Sequence, residues 1–315
     1  MILGVDIGGT KSAVVLGTAE GAVVARRSAP TPAASGPDAV LGLLIDMGRT
    51  LVEEAGATTL EAIGISCGGP LDTTTGVVYS PPNLPGWDAV PVRRRFEEAW
   101  PGIRVALEND ANATAVAEWR WGAGRGTQHM AFLTMGTGIG GGLILDGKLY
   151  RGASDLAGEV GHQTILVNGP LCNCGKRGCL EALASGPAIA RLARDSLAYG
   201  RGRRLLEVAG GRAETIAAKH VVELARAGDA FCQSVLAEAG CYMGIGLANL
   251  LQTLNLERIV LGTIAVHAGD AILEPIRAAI KEFAWPSVAA RCTVVAAELG
   301  DAAQDLAAIA AATES

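Results

Sequence analysis

The sequence has little of what would take a chain into a membrane, onto nucleic acid or along a secretory route. No segment reaches the ~20 consecutive apolar residues that a membrane span needs. The first residues, Met1-Ile-Leu-Gly-Val-Asp6, carry neither a basic stretch nor a cleavage site, so they do not read as a secretory leader. Net charge is −6, and only Arg93–Arg95 and Arg201–Arg204 interrupt the scatter of basic residues. Both read as solvated surface. A duplex-binding protein would show a basic face, so nucleic acid is not an expected partner. There are seven cysteines, an odd number that does not make a disulfide framework. Cys67, Cys232, Cys241 and Cys292 lie in apolar surroundings and read as buried thiols. Cys172, Cys174 and Cys179 crowd together instead. The pattern points to a reducing cytoplasm and one metal site. No low-complexity linker divides the chain.

Glycine is abundant, at 42 of 315 residues, or about 13% against a typical ~7%. The excess gathers at 4–9, 64–69, 136–142 and 158–161. Clustered glycine marks tight turns and backbone that approaches a ligand closely. A length of 315 residues suggests two domains of about 150 residues each. Half the residues are apolar, enough for a core in both.

The opening stretch reads as three strands, Ile2–Ile7, Ala13–Gly17 and Val23–Ser28, with turns at Gly8-Gly9 and Thr18–Gly21. Apolar residues at helical spacing follow over Ala39–Ala55, with Gly56 as a C-cap. Ala62–Cys67 and Arg104–Leu107 read as strands, and about Ala111 to Trp121 as a helix. The order then recurs. Met130–Met135, Gly140–Leu145 and Lys148–Tyr150 read as strands, with Asp146-Gly147 as a hairpin turn. Helical patterns follow, notably Ala230–Leu254, then strands Arg258–Leu261 and Thr293–Ala296 and a closing helix Ala302–Ala312. Two copies of one β-rich then β/α unit imply a duplicated α/β architecture, whose ligands are expected in the cleft between the halves.

Four segments carry chemistry. Asp6-Ile-Gly8-Gly9-Thr10-Lys11 joins two strands. Its glycine turn offers backbone N–H groups to phosphate oxygens, Thr10 and Lys11 add a hydroxyl and a charge, and Asp6 is placed to hold hydrated Mg²⁺. Gly136-Thr137-Gly138-Ile-Gly-Gly-Gly142 is its counterpart. It lacks the Gly-Lys-Ser/Thr of a P-loop and the βαβ setting of a dinucleotide fingerprint. Glu108-Asn109-Asp110-Ala-Asn112 lies at a strand-to-helix junction. One of its polar residues could simply cap the helix, but a carboxylate there can also take the proton of an attacking hydroxyl. Glu159-Val-Gly-His162 and Cys172-Asn-Cys174-Gly-Lys-Arg-Gly-Cys179-Leu-Glu181 carry the strongest signal. Three cysteines in eight residues plus His162 make a closed Cys₃His set for structural Zn²⁺. With no open position, the metal would fix Glu159 and Glu181 rather than take part in chemistry.

Together these segments, with Gly64-Ile-Ser-Cys-Gly-Gly-Pro70, Asn83-Leu-Pro-Gly-Trp87 and Gly244-Ile-Gly-Leu-Ala-Asn249, resemble the ROK family of sugar kinases and related repressors over nearly the whole chain. The resemblance implies two ribonuclease-H-like domains of the actin and hexokinase type. The smaller would span 1–118 plus 300–315, closed by the C-terminal helix, and the larger 119–299 with the zinc loop. It implies ATP-dependent phosphorylation of a hexose, glucose first, with N-acetylmannosamine, N-acetylglucosamine and fructose as alternatives. Asp110 would be the general base. Gly69, Asn83, Asn109, Asp110, Glu159, His162 and Glu181 would hold the sugar, His162 also ligating zinc with Cys172, Cys174 and Cys179. Asp6, Gly8, Gly9, Thr10, Lys11, Gly136, Thr137, Gly138 and Gly262 would bind ATP and its Mg²⁺. The implied state is a homodimer or homotetramer. One departure stands out: where the family has Gly-Gly after Arg258–Leu261, this chain has Gly262-Thr263, whose β-branch is expected to reshape the nucleotide pocket. Two rivals are a sugar-sensing repressor, which would need a winged-helix region before residue 6, and a non-catalytic sugar-binding protein.

Overall fold

The computed structural model describes residues 1–197 and 200–313, which form two compact units. The first takes Met1–Gly126, Gly142–Gly158 and the chain from Leu299 onward, and the second takes Thr127–Gly141 and Glu159–Glu298. The chain opens with β1 (Ile2–Ile7), β2 (Lys11–Gly17), β3 (Val23–Pro30), α1 (Pro37–Glu54), β4 (Ala62–Cys67), the short pair β5 (Leu71–Asp72) and β6 (Val77–Val78), α2 (Val92–Ala99), β7 (Arg104–Asn109) and α3 (Asp110–Trp121). It continues with β8 (Met130–Leu133), β9 (Gly141–Leu145), β10 (Lys148–Leu149), α4 (Leu180–Ala184), α5 (Gly186–Leu197), α6 (Arg203–Val208), α7 (Ala218–Arg226) and α8 (Ala230–Leu254). It closes with β11 (Arg258–Leu261), α9 (Ile264–Ala268), α10 (Asp270–Phe283), α11 (Pro286–Ala289), β12 (Thr293–Ala296) and α12 (Ala303–Ala311).

The strands make two five-stranded sheets, ordered β3-β2-β1-β4-β7 and β10-β9-β8-β11-β12. In the first, β1–β3 form an antiparallel meander, and β4 and β7 add in parallel to β1. In the second, β9 and β10 are antiparallel, and β11 and β12 add in parallel to β8. Parallel neighbours need crossover connections, which the helices supply. The same order twice is the duplicated ribonuclease-H-like architecture. The β9–β10 hairpin turns at Asp146 and Gly147, with φ of 52° and 66°, the positive pair that a tight hairpin requires.

Helices cover both faces of the first sheet, so its middle strands read as continuous apolar runs. All six residues of β4 are buried. On one face Leu41, Leu44 and Leu51 of α1 join Leu3, Val5, Ile63 and Ile65 in a single core. On the other lies α12, rich in alanine. A Cβ at Gly4 would stand 3.0 Å from that of Ala308, and one at Gly64 only 2.2 Å from the Ala308 carbonyl oxygen. Two members of the glycine clusters thus admit a helix, not a ligand.

In the second unit, α8 is long and apolar enough to cross a membrane by length and composition alone, but 56% of its most apolar window is buried within the fold. Its one-turn glycine spacing serves packing: Cβ atoms at Gly240 and Gly244 would lie 2.8 and 2.4 Å from the Cβ atoms of Pro275 and Ala279 on α10. Cys67 and Cys232 are buried as expected, whereas Cys241 and Cys292 are only half-buried.

Candidate active site

In the first unit, the β1–β2 turn is a closed device. Gly8 N–H donates to Ser12 Oγ (3.2 Å), and Thr31 Oγ1–H donates to the Gly8 carbonyl (2.7 Å). The Gly8 amide is therefore used inside the turn. A Cβ at Gly8 would meet the Lys11 carbonyl oxygen at 2.4 Å, and one at Gly9 would meet that of Asn83 at 2.5 Å. Gly9 and Asn83, far apart in sequence, are thus brought together. Thr10 and Lys11 are exposed beside them.

Asp6 is the penultimate residue of β1, opposite Ser66 in the register with β4. Burial first, then the nearby carboxylates of Asp110 and Asp305, raise its pKa to about 7, against the opposing effect of Arg26. Asp305 is itself buried and accepts from Arg26 Nε at 2.7 and 2.9 Å. Three carboxyl groups answered by one arginine leave a demand for positive charge at the end of the strand.

At the β7–α3 junction the capping role belongs to Asn109. Its Oδ1 accepts from the N–H groups of Ala111 (2.9 Å) and Asn112 (3.3 Å), the usual solution for a helix start. Its Nδ2 faces the other way, where a Cβ at Gly69 would lie 3.2 Å from it. Asp110 is the first helical residue, and its Oδ1 accepts from Ala111 N–H (2.8 Å). It keeps contact with solvent, yet burial among the surrounding groups holds its carboxyl above the usual range. A Cβ at Gly68 would lie 4.0 Å from Asp110 Oδ2, so bare backbone borders the carboxylate. Beneath sits Glu108, 2% exposed, held by Arg151 and Asn112.

In the second unit, the loop from β8 to β9 is laced from several sides. Gly136 N–H donates to the Gly138 carbonyl (3.0 Å), Gly186 N–H to that of Gly136 (2.8 Å), and Ile264 N–H to that of Met135 (3.1 Å). Glu181, in the first turn of α4, accepts from Ile139 N–H through Oε2 (2.9 Å), while its Oε1 lies 3.7 Å from Cys172 Sγ. A residue expected to face a ligand thus also ties the glycine loop to the cysteine loop. Glu159 and His162 flank a tight helical turn at Val160–His162. A Cβ at Gly161 would fall 2.1 Å from the Ile139 carbonyl oxygen, so that glycine is required by packing.

His162 Nδ1 lies 3.7 Å from Cys172 Sγ, and Cys174 Sγ lies 3.7 Å from Cys179 Sγ. The second distance is far beyond a disulfide bond. The four ligand atoms lie within 4.8 Å of one another and could hold one metal ion. His162 Nε2 points towards Glu159, 3.8 Å from its Oε2. Gly175 and Gly178 have φ of 84° and 71°, and a Cβ at Gly178 would sit 1.7 Å from the Leu166 carbonyl oxygen. Burial, aided by the neighbouring thiols, pushes Cys179 up to about 12, whereas a backbone hydrogen bond from Lys176 lowers Cys174.

Gly262 N–H donates to the Leu133 carbonyl (2.9 Å). Thr263 follows with φ 53° and ψ −104°, a conformation suited to glycine and strained for a β-branched residue. Its side chain lies against the Gly136 backbone, with Cγ2 3.5 Å from where a Cβ there would stand. Sequence reasoning missed three pairs: Glu108 with Arg151, Glu181 with Ile139, and Arg26 with Asp305. No local signal announces the first or third.

The ROK family profile matches residues 2–314. A glucokinase of Thermotoga maritima is 34% identical over 298 residues, covering 95% of this chain and 92% of that protein. A xylose repressor of Caldicellulosiruptor bescii is 31% identical, covering 89% of this chain and 70% of the repressor. Among solved structures, a ROK family glucokinase from Streptomyces griseus in complex with glucose and AMPPNP has a TM-score of 0.81 and 32% identity, covering 100% of this chain and 99% of that one.

Proposed function

The chain belongs to the ROK family, and from that premise we propose that it transfers the γ-phosphoryl group of ATP to a hydroxyl of a hexose, glucose first. The observation that carries this reading is Asp110: a solvent-touching carboxylate at a helix start, bordered by glycine backbone and held above its usual pKa. The likeness to glucokinases along nearly the full chain supports it.

In this reading Asp110 accepts the proton of the sugar hydroxyl as that oxygen attacks the γ-phosphorus. The bond to the β–γ bridging oxygen breaks and ADP leaves. Asn109 offers Nδ2–H to a sugar oxygen, since its Oδ1 is occupied by the helix cap. Gly69, Asn83, Glu159, His162 and Glu181 are the other proposed sugar contacts, with Glu181 sharing its carboxylate with Ile139 N–H. Gly8, Gly9, Thr10, Lys11, Gly136, Thr137, Gly138 and Gly262 are the proposed nucleotide contacts. Most of the rate comes from positioning and charge stabilisation. Asp6 fits Mg²⁺, because its excess of neighbouring carboxylates calls for a cation. That ion would neutralise charge on the β- and γ-phosphates.

For the cysteine cluster we assign zinc. Bonds of about 2.3 Å to sulfur and 2.0–2.1 Å to nitrogen in a tetrahedron put ligand atoms ~3.6–3.8 Å apart, in accord with the observed 3.7 Å separations. Cytoplasmic location and a homodimer or homotetramer complete the proposal. The test is ADP release measured with glucose, fructose, N-acetylmannosamine and N-acetylglucosamine. Because a repressor is also a relative, turnover rather than sugar binding decides. Glucose should raise ADP release far above the sugar-free rate, and no rise with any of the four would sink the reading.

A further inference from the structure

Beneath the β7–α3 junction lies a carboxylate that the proposed chemistry does not use. Glu108 is 2% exposed. Its Oε2 accepts from Arg151 Nε (2.8 Å) and Nη2 (2.7 Å), and its Oε1 accepts from Asn109 N–H (3.0 Å) and Asn112 Nδ2–H (3.0 Å). The Arg151 side chain is 28% exposed, and an ion pair whose carboxylate is so fully withdrawn from water is seldom more stabilising than apolar side chains of the same volume, so stability alone does not explain one at this place. Its donors do. Asn109 and Asn112 stand on either side of Asp110, so Glu108 grips the chain before and after that residue.

The grip is anchored from behind. Arg151 lies in the loop that follows β10. Its carbonyl accepts from Ala157 N–H (3.1 Å), and Asp155 in the same loop accepts from Thr73 N–H (2.8 Å) and Oγ1–H (2.9 Å). The first turn of α3 has no room to drift towards β9. A Cβ at Gly142 would lie 3.0 Å from Asn112 Cα and 3.1 Å from the Ala111 carbonyl oxygen.

We infer that Glu108 and Arg151 form a positioning pair for Asp110, fixing the backbone on both sides of the base so that its carboxylate meets the sugar hydroxyl at transfer distance. The inference rests on the proposed role of Asp110. It is tested by steady-state kinetics of the full chain with ATP, Mg²⁺ and glucose. R151M is expected to lower kcat by about 10–100-fold, in line with the cost of small misplacements, and to leave the KM for ATP within about threefold. R151K should recover part of the loss, and E108Q/R151M should outrun R151M, because the stranded anion is gone. In a D110N background R151M should cost less than about threefold, since a positioning pair then has nothing to position. A loss below about threefold for R151M alone, or an undiminished loss in the D110N background, overturns the inference. Should R151M not fold, R151K and E108Q carry the same comparison. Failure of the underlying reading looks different: D110N itself would then turn over near the unmodified rate, which overturns both.

Discussion

At the β7–α3 junction, Asn109 and Asp110 are held by a helix cap and by a buried carboxylate whose arginine lies 43 residues away in sequence. In the cysteine loop, four ligand atoms within 4.8 Å of one another come from the short stretch between His162 and Cys179. The first arrangement borrows its rigidity from a sheet and a helix that exist anyway. The second has almost no regular structure and depends on positive-φ glycines and, in our reading, on an ion. The junction should therefore tolerate loss of its chemistry without loss of shape, whereas the loop should lose shape together with its ion.

The largest expected effect separates the two at once. Asp110→Asn keeps the helix start intact and removes the base. Its kcat should fall by about 10²–10⁴, with metal content unchanged and a melting temperature no lower than that of the unmodified protein. Loss of metal in that variant would mean that the two regions are not independent. Next, chelation or Cys179→Ser should lower the melting temperature and raise the KM for glucose by on the order of tenfold, with a smaller change in kcat at saturating sugar. A chelated protein that stays folded with the same sugar KM would show that the ion positions nothing.

A third effect concerns Asp6. Its folded pKa of about 7 stands above the ordinary value of 3.8. Between those two values the unfolded chain has released a proton that the folded one retains. The Mg²⁺-free protein should therefore lose stability as pH rises from about 4 to 7 and level off above that. Asp6→Asn should remove this decline and melt higher at pH 8, while abolishing turnover. A melting curve at pH 8 no higher than that of the unmodified protein would contradict it. The smallest effect is at Thr263. Thr263→Gly should relieve the strained backbone and stabilise by about 1 kcal/mol, or about 2–4 °C in melting temperature.

The same contrast explains what could be read from the sequence. The cysteine loop was legible because its ligands are neighbours in sequence and thiol chemistry is restrictive. The order of strands and helices was legible because apolar periodicity records which faces are covered. Asn109 turned out to take the capping role that the sequence left open to the polar residues of the junction, leaving Asp110 with both solvent contact and crowding. Arg151 was not legible, since nothing near it in sequence differs from a solvated arginine. Nor were Gly4 and Gly64, which sit inside clusters that look like ligand turns and owe their identity to α12, far along the chain from both. Long-range packing of this kind leaves no periodic trace.

That helix has a consequence for how the protein is made. Gly4 of β1 packs against Ala308 of α12, which is synthesised long after it. The first unit is assembled from three separate stretches of chain, whereas most of the second lies in one, Glu159–Glu298. During translation the later-made unit can therefore complete its core first. The earlier-made sheet must wait with one apolar face uncovered until α12 arrives, a period in which it is open to aggregation.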